Sequence, residues 1–96
     1  PRLIILPAAR DDLVEIGDFI AQDNPARALT FVTEIETKLS EVARDPKRFP
    51  LRDELLAGVR SARHGRYLIF FLTGEDEVRI VRILHSARDL PHLLGG

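Results

Sequence analysis

The stretch that decides the fold is residues 65–89, which read GRYLIFFLTGEDEVRIVRILHSARD. Two runs rich in β-branched and aromatic residues, 67–71 and 78–84, flank a short turn that contains Gly74. This pattern is typical of a β-hairpin, in which the two runs pair as antiparallel strands. The second run contains, or leads into, several charged or titratable side chains: Arg79, Arg82, His85, Arg88 and Asp89.

Upstream of the hairpin, apolar residues recur at helical spacing in two segments. A short apolar run at 3–6 ends at Pro7, and one face of residues 8–22 is then apolar. Asp23-Asn24-Pro25 ends this helix and starts a second one, with Asn24 as N-cap, that runs to about residue 43. The link between them is so short that the sequence predicts an antiparallel helical hairpin.

The remaining segments complete a small α+β domain. Residues 45–58 contain two prolines and are predicted to be a loop, with one helical turn at 53–57. Residues 59–63 read as a strand, and 90–94 as a last helical turn or a fraying tail. The predicted order is therefore an N-terminal strand, two helices and a three-stranded antiparallel sheet. Because both helices must bury their apolar faces on one side of the sheet, we expect one two-layer domain over 1–96.

Composition limits the classes of function. The chain has 96 residues, no cysteine and a net charge of −1, which excludes disulfides, thiol catalysis and thiolate metal sites. Residues 1–48 hold nine acids and seven bases and residues 49–96 hold six and seven, a weak segregation that does not predict direct binding to nucleic acid. No apolar run approaches the roughly 18 residues of a membrane span, and no signal peptide is visible, so we expect a cytoplasmic protein.

The last strand of the predicted hairpin is apolar on both faces. In strict alternation, Arg79 and His85 lie on the side opposite Arg82. A strand of this kind is central, with one face under the helices. The other face needs a second cover, or it is an exposed apolar patch of the kind that binds a partner. The residues alone do not say which set of side chains faces that surface.

Few residues point to catalysis or to metal binding. A histidine at a strand end, such as His85, is more often structural than catalytic, and Arg88-Asp89 reads as an ion pair or as a cap for the last turn. The chain has three histidines without matching carboxylate spacing, so we expect no metal site and no cofactor. It has no glycine-rich phosphate loop and no serine–histidine–acid set in a plausible context.

The residues of the hairpin also resemble a known family. The pattern Gly-Arg-Tyr-x-Ile-x-Phe at 65–71, followed by Ile-x-Arg-Ile-Leu-His-x-Ala-Arg-Asp at 80–89, resembles the ParE branch of the ParE/RelE superfamily. These are small toxins of bacterial toxin–antitoxin operons. The resemblance covers nearly the whole chain, because the helical hairpin lies upstream as in the family. It implies that the uncovered sheet face and its rim receive an antitoxin segment, with these partner-binding candidates: Arg79, Arg82, His85, Arg88 and Asp89.

The ParE branch implies a toxin that is not an enzyme. Its members are implicated in inhibiting DNA gyrase and blocking replication, and they serve in plasmid stabilisation. The resemblance also implies a ParD-like antitoxin whose disordered tail folds on the helices and groove of the toxin. Nucleic acid would then be contacted only indirectly, through the antitoxin or gyrase.

The RelE branch is the alternative, and its members are ribosome-dependent mRNA endonucleases. Carried over by position, their catalytic residues correspond to Arg66, His85 and Arg88 in this chain. The chain departs from that branch because Ser86 and Leu94 stand where members have a catalytic tyrosine, and because no lysine precedes Arg66 on its strand. A third alternative is a relative that binds an antitoxin but has no active target.

Overall fold

The computed structural model describes residues 1–95 and confirms the predicted α+β order. Its helices and strands are β1 (Arg2–Ile5), α1 (Pro7–Ala21), α2 (Pro25–Arg44), a 3₁₀ turn (Pro46–Arg48), β2 (Arg60–His64), β3 (Tyr67–Gly74), β4 (Glu77–His85) and α3 (Leu90–Gly95). Asn24 caps α2 as predicted, because its Oδ1 accepts a hydrogen bond from the backbone N of Arg27 at 3.0 Å. No helix in this part of the chain is long and apolar enough to cross a membrane.

The four strands form one sheet in the order β1-β4-β3-β2. The three later strands pair antiparallel, as expected from their short turns. The N-terminal strand pairs parallel with β4, from Arg2 opposite Glu77 to Ile5 opposite Ile80. A parallel pair needs a long crossover, and the helical hairpin is the first part of it. The central strands of the sheet are therefore β4 and β3.

The helical hairpin buries its apolar faces on one side of this sheet. Residues from both helices meet the sheet in a core whose members are at most 9% exposed: Ala9, Ile16, Phe31, Ile35, Leu39, Val42, Ala62, Ile69, Phe71, Val78, Ile80 and Ile83. Phe31 of α2 lies at its centre, with ring centroids 5.3 Å from Tyr67 and 5.5 Å from His64. Burial of this apolar area is the main favourable term for the fold.

A β-bulge changes which side chains of β4 face the helices. Phe70 pairs with Arg82 and Phe71 with Ile80, so Val81 is an extra residue in β4. Val78, Ile80 and Ile83 consequently all reach the helix-side core. The strict alternation predicted from sequence is therefore wrong across the bulge, because it does not account for one inserted residue. Arg79 and His85 consequently lie on opposite faces, since Arg79 pairs with Leu72, and His85 pairs with Tyr67, which packs on the helix-side core.

The other face of the sheet has its own apolar cover. Val59, Leu68, Phe70 and Leu84 pack there against Leu90 of α3 and against the partly buried side chains of Leu55, Leu56, Leu93 and Leu94. The apolar sheet face is thus covered, which is the first of the two alternatives predicted from the sequence, and binding of an antitoxin segment at this face and its rim stays a prediction. Residues 90–94 are helical, which was one of the two alternatives predicted from the sequence for this segment. Residues 53–57 form turns rather than a helix, closed by a hydrogen bond from Gly58 N to Asp53 Oδ1 at 2.7 Å.

We expect Phe31→Ala to lower the free energy of unfolding by about 3 to 5 kcal/mol, because it leaves a cavity at the centre of the helix-side core. Urea titration followed by circular dichroism measures this loss. The matched control is Leu29→Ala on the same helix, where the side chain is 74% exposed, and its effect should stay within about 0.5 kcal/mol. A loss below about 1 kcal/mol for Phe31→Ala would contradict the central position of this ring.

Candidate functional site

A buried carboxylate joins α1 to the sheet at the point where β1 ends. Asp12 is 5% exposed. Its Oδ2 accepts hydrogen bonds from Arg82 Nε at 2.8 Å and from the backbone N of Ile83 at 2.9 Å, and its Oδ1 accepts one from Arg82 Nη2 at 2.8 Å. Because β1 pairs with β4 only as far as Ile80, the N–H of Ile83 has no strand neighbour on that side. Asp12 supplies the acceptor that the sheet lacks.

The Asp12–Arg82 pair is bidentate and mostly removed from water. Hydrogen bonding to Asp12 raises the pKa of the Arg82 guanidinium, an effect that burial opposes. The Arg82 side chain is 24% exposed. Two charges held this far from solvent are stable only as a pair with well-made hydrogen bonds. Arg82, one of the predicted partner-binding residues, is therefore occupied inside the protein.

A pocket of about 320 Å³ lies beside this pair. One wall comes from α1, with Glu15, Ile16 and Phe19, and the opposite wall comes from the sheet end. The sheet contributes these lining side chains: Tyr67, Ile83, Leu84, His85 and Arg88. Two of the predicted site residues thus line one pocket, together with Tyr67 and four α1 residues that sequence analysis did not select as site residues.

His85 is held in one orientation and one tautomer. Its Nδ1 accepts a hydrogen bond from the backbone N of Ala87 at 3.0 Å, so Nδ1 carries a lone pair and the ring proton of the neutral form is on Nε2. The ring meets Tyr67 edge to face, with centroids 5.2 Å apart. In this tautomer Nε2 is a hydrogen-bond donor rather than a base. Proton abstraction by His85 would require the ring to give up its bond to Ala87 or to change tautomer.

The structure brings together the three residues carried over from the nuclease branch. The carbonyl O of Arg66 accepts a hydrogen bond from Ser86 N at 2.8 Å, which places the β2–β3 turn against the residue that follows His85. Arg88 N donates to His85 O at 3.1 Å, so Arg88 lies one turn beyond the strand. Arg66 and Arg88 both have exposed side chains. This end of the sheet therefore carries Arg66, His85 and Arg88, of which His85 and Arg88 line the pocket.

The other partner-binding candidates lie apart or have local roles. Arg79 is nearer the opposite end of β4, 3.4 Å from the carboxylate of Glu77. Asp89 caps α3, because its Oδ1 accepts from His92 N at 3.4 Å and its backbone O accepts from Leu93 N. The partner-binding role of these residues stays a prediction. Only His85 and Arg88 of that set share the pocket in accessible positions.

A second polar cluster ties α2 to the same end of the sheet. Glu34 accepts hydrogen bonds from Arg27 Nη1 and from His64 Nε2, each at 2.7 Å. The bond from Arg27, and then the bond from His64, lower the pKa of the Glu34 carboxyl to about 2. His64 also packs on Phe31, which contacts Tyr67, so the rings connect this cluster to His85. Its groups are engaged with one another and serve to fix α2 against β2.

The largest exposed apolar side chains lie on the helical hairpin rather than on the sheet. Val14 is 57% exposed, Phe19 67% and Leu29 74%. A shallow groove of about 310 Å³ between α1 and α2 is lined almost entirely by apolar atoms and includes Val14 and Leu29. Exposed apolar surface of this kind usually marks a binding site. Sequence analysis missed it because it counted only the buried stripe of each helix.

Within residues 1–95, no group of three or more histidine, cysteine or acidic side chains is arranged to hold a metal ion.

The residue of the site that sequence analysis missed is Asp12. Its signal is present in the sequence, since Asp12 is three residues after Ala9 and four before Ile16 and so lies within the apolar stripe of α1. An acid at such a position needs a buried partner, and Arg82 is the arginine that supplies it.

Comparison with known proteins gives a consistent result. A family model described as the ParE toxin of the type II toxin–antitoxin system parDE matches residues 3–90. Two curated proteins named Toxin ParE1, from the CDC 1551 / Oshkosh and H37Rv strains of Mycobacterium tuberculosis, are each 29% identical over 91 residues, which is 93% of this chain and 93% of each relative.

Two solved structures are similar over most of their length. The chromosomal ParDE system from P. aeruginosa contains a chain with a TM-score of 0.75 and 23% identity, covering 88% of this chain and 94% of that one, which shows the fold alone. The toxin–antitoxin complex RelBE2 from Mycobacterium tuberculosis contains a chain with a TM-score of 0.62 and 32% identity, covering 91% and 92%.

We expect Asp12→Ala to destabilise the domain by about 3 to 5 kcal/mol, because it leaves the Arg82 charge and the Ile83 N–H without a partner. The free energy of unfolding from urea titration measures the loss. Asp11→Ala is the matched control, since Asp11 is exposed on the same turn and should change stability by no more than about 0.5 kcal/mol. Equal effects of the two substitutions would show that the Asp12 pair does not join α1 to β4.

Proposed function

The chain belongs to the ParE toxin family of type II toxin–antitoxin systems, and we propose that it inhibits DNA gyrase by protein contact and so blocks replication. It is a toxin by family membership. The choice between poison and nuclease is supported by one observation in particular. Nδ1 of His85 accepts a hydrogen bond from the Ala87 N–H, so the imidazole in the pocket offers no free basic nitrogen.

The other groups in the pocket do not replace that base. RNA cleavage by the 2′-hydroxyl needs a base, an acid for the leaving oxygen and cations for the developing charge. Glu15 lines the pocket, but its carboxylate is an anion placed where the substrate phosphate would have to approach Arg88. Tyr67 stacks between Phe31 and His85. The arrangement therefore suits a contact surface better than a reaction centre.

We assign the target-contacting surface to the sheet end that carries the pocket. His85, Arg88 and Asp89 lie there in succession, with Arg66 beside them through its bond to Ser86. Arginine at such a surface can make bidentate contacts with carboxylates of a protein partner. Arg79 remains a candidate at the rim of the sheet, distant from this group along β4.

The neutralising partner would be a ParD-like antitoxin, and its docking site would be the exposed apolar face of the helical hairpin. A disordered antitoxin tail loses conformational entropy when it folds, so it needs apolar surface to bury. Val14 and Leu29, which line the groove between α1 and α2, offer that surface. Both proposed partners are cytoplasmic in bacteria, and toxin–antitoxin pairs of this type stabilise plasmids, so we place the action of the protein in that context.

Two observations favour the alternative function, a ribosome-dependent ribonuclease. Arg66, His85 and Arg88 meet at one end of the sheet, as the nuclease branch requires, and the chain in the RelBE2 complex is 32% identical. An endonuclease would need His85 to release Ala87 when the ribosome and mRNA bind. The assay that tests the gyrase proposal must therefore include ribosomes.

We expect the toxin, freed from its antitoxin, to abolish supercoiling of relaxed plasmid by gyrase and ATP while leaving mRNA on programmed ribosomes intact. Arg88→Glu should weaken the inhibition at least about tenfold, roughly 1.4 kcal/mol of binding. Arg10→Glu is the control, because Arg10 is exposed on α1 outside the pocket. Cleavage of mRNA with normal supercoiling would replace the proposal with catalysis by Arg66, His85 and Arg88. If supercoiling stays normal and the mRNA stays intact, the protein is a relative without an active target.

We expect Val14→Glu and Leu29→Glu each to weaken antitoxin binding at least about tenfold, because a charge cannot be buried under an apolar antitoxin segment without a large cost. Isothermal titration of the antitoxin into each variant measures the affinity. Leu51→Glu provides the control, since Leu51 is 48% exposed but lies outside the hairpin. Unchanged affinity for both hairpin variants would move the docking site to another surface.

A further inference from the structure

The near-zero net charge hides a strong separation of charge along the chain. Residues 44–66 contain seven bases and three acids, a net charge of +4, whereas residues 1–43 contain four bases and eight acids, a net charge of −4. Division of the chain at its midpoint conceals this, because it splits the basic segment between the two halves. The boundaries that reveal it are structural, since residue 44 ends α2 and residue 66 ends the β2–β3 turn.

The basic segment forms one continuous edge of the molecule. β2 is an edge strand, and the chain before it lies along its free side. Arg60 Nη1 donates to Phe49 O at 2.7 Å and Lys47 O at 3.3 Å, and Ser61 N donates to Pro50 O at 3.1 Å. We call this edge the β2 ridge and define it by five residues: Arg44, Lys47, Arg60, Arg63 and Arg66.

The positive charges of the β2 ridge are largely unneutralised. Arg44, Lys47, Arg63 and Arg66 are exposed, and none has an ion-pair partner among residues 1–95. Arg60 bonds to backbone carbonyl groups, which leaves its charge in place. Two neighbouring arginines do have carboxylate partners, Arg48 with Glu41 at 3.6 Å and Arg52 with Glu54 at 2.8 Å. Asp45 and Asp53 are the remaining acids of the segment.

The ridge lacks the apolar centre that a protein partner would use. Protein interfaces bury an apolar core inside a polar rim. Leu51 is the sole large apolar side chain of segment 44–66 with substantial exposure in the part of the chain that the structure describes, at 48%. The other three, Val14, Phe19 and Leu29, are all on the helical hairpin. An edge of cations with one exposed large apolar side chain fits a dense line of phosphates, and duplex DNA carries one negative charge per about 1.7 Å of its axis.

We propose that the β2 ridge binds the phosphate backbone of duplex DNA directly. This revises the sequence-based expectation that the protein meets nucleic acid only through a partner, and it does not depend on gyrase being the target. The field of the ridge acts locally, because charges more than about 10 Å away are screened at 0.1 M salt. α1 packs on β4, two strands away from β2 in the sheet, so its acids lie away from the ridge and orient the protein with its ridge towards DNA.

The test is fluorescence anisotropy of a labelled duplex of mixed sequence, titrated with the full-length protein at NaCl concentrations from about 50 to 200 mM. With one phosphate contact from each of the four exposed residues of the ridge, log Kobs should fall linearly with the logarithm of the salt concentration. The expected slope is about −3 to −4. Lys47→Gln and Arg63→Gln should each reduce the magnitude of that slope by about one, at equal cost for every DNA sequence. Neither residue lines the pocket assigned to the target, so the result is independent of gyrase inhibition.

Arg10→Gln is the matched control, because it removes one exposed positive charge from α1, outside the ridge. It should leave the slope unchanged, and circular dichroism should show the same melting temperature for all variants. The proposal fails if no binding occurs at about 50 mM salt, or if Arg10→Gln weakens binding as much as Arg63→Gln. It also fails if polyglutamate displaces the protein as well as unlabelled duplex does, since the ridge would then be a site for acidic polypeptides.

Discussion

The carboxylate of Asp12 is the interaction on which the arrangement of this domain depends. A parallel β1–β4 pair can extend only as far as β1 does, and the chain leaves β1 at Ile5 to enter α1. Beyond that point, β4 has a backbone donor facing the helix instead of a strand. One buried side chain of α1 accepts from that donor and neutralises Arg82. The same contact sets the distance between α1 and β4, and hence the two walls of the pocket.

The bulge at Val81 explains where the functional surfaces can be. By inserting one residue, it lets Ile80 and Ile83 both enter the helix-side core while Leu84 faces the second cluster under α3. Both faces of the sheet are then covered by apolar side chains. The accessible surfaces of the domain are the end of the sheet near His85, the outer face of the helical hairpin and the β2 edge. A small domain with a fully packed sheet has few other places for recognition.

The sequence was sufficient to predict the order of strands and helices, because each carries a local signal. Asn24-Pro25 caps a helix wherever it occurs, and the apolar runs around Gly74 pair as a hairpin without help from the rest of the chain. The bulge has no such signal, since Val81-Arg82 fits a regular strand equally well. Three other features are also non-local. They are the parallel pairing of β1 with β4, the covering of the sheet face by Leu55, Leu56 and α3, and the hydrogen bond between Ser86 and Arg66. The order of segments was therefore confirmed, whereas the alternation predicted for β4 was wrong because it depends on the bulge.

Asp12 and the β2 ridge show that counting charges along the sequence does not reveal how they are arranged in space. Counted along the sequence, Asp12 is one of several acids of α1, and the bases of 44–66 are balanced by distant carboxylates. In three dimensions Asp12 forms an ion pair with Arg82. The bases of 44–66 lie at the β2 edge of the sheet, which is opposite the β1 edge. The apolar groove that includes Val14 and Leu29 shares no residue with that edge. An antitoxin on the helical hairpin would thus leave the basic edge uncovered, so overlap of the two sites cannot prevent the neutralised toxin from contacting DNA.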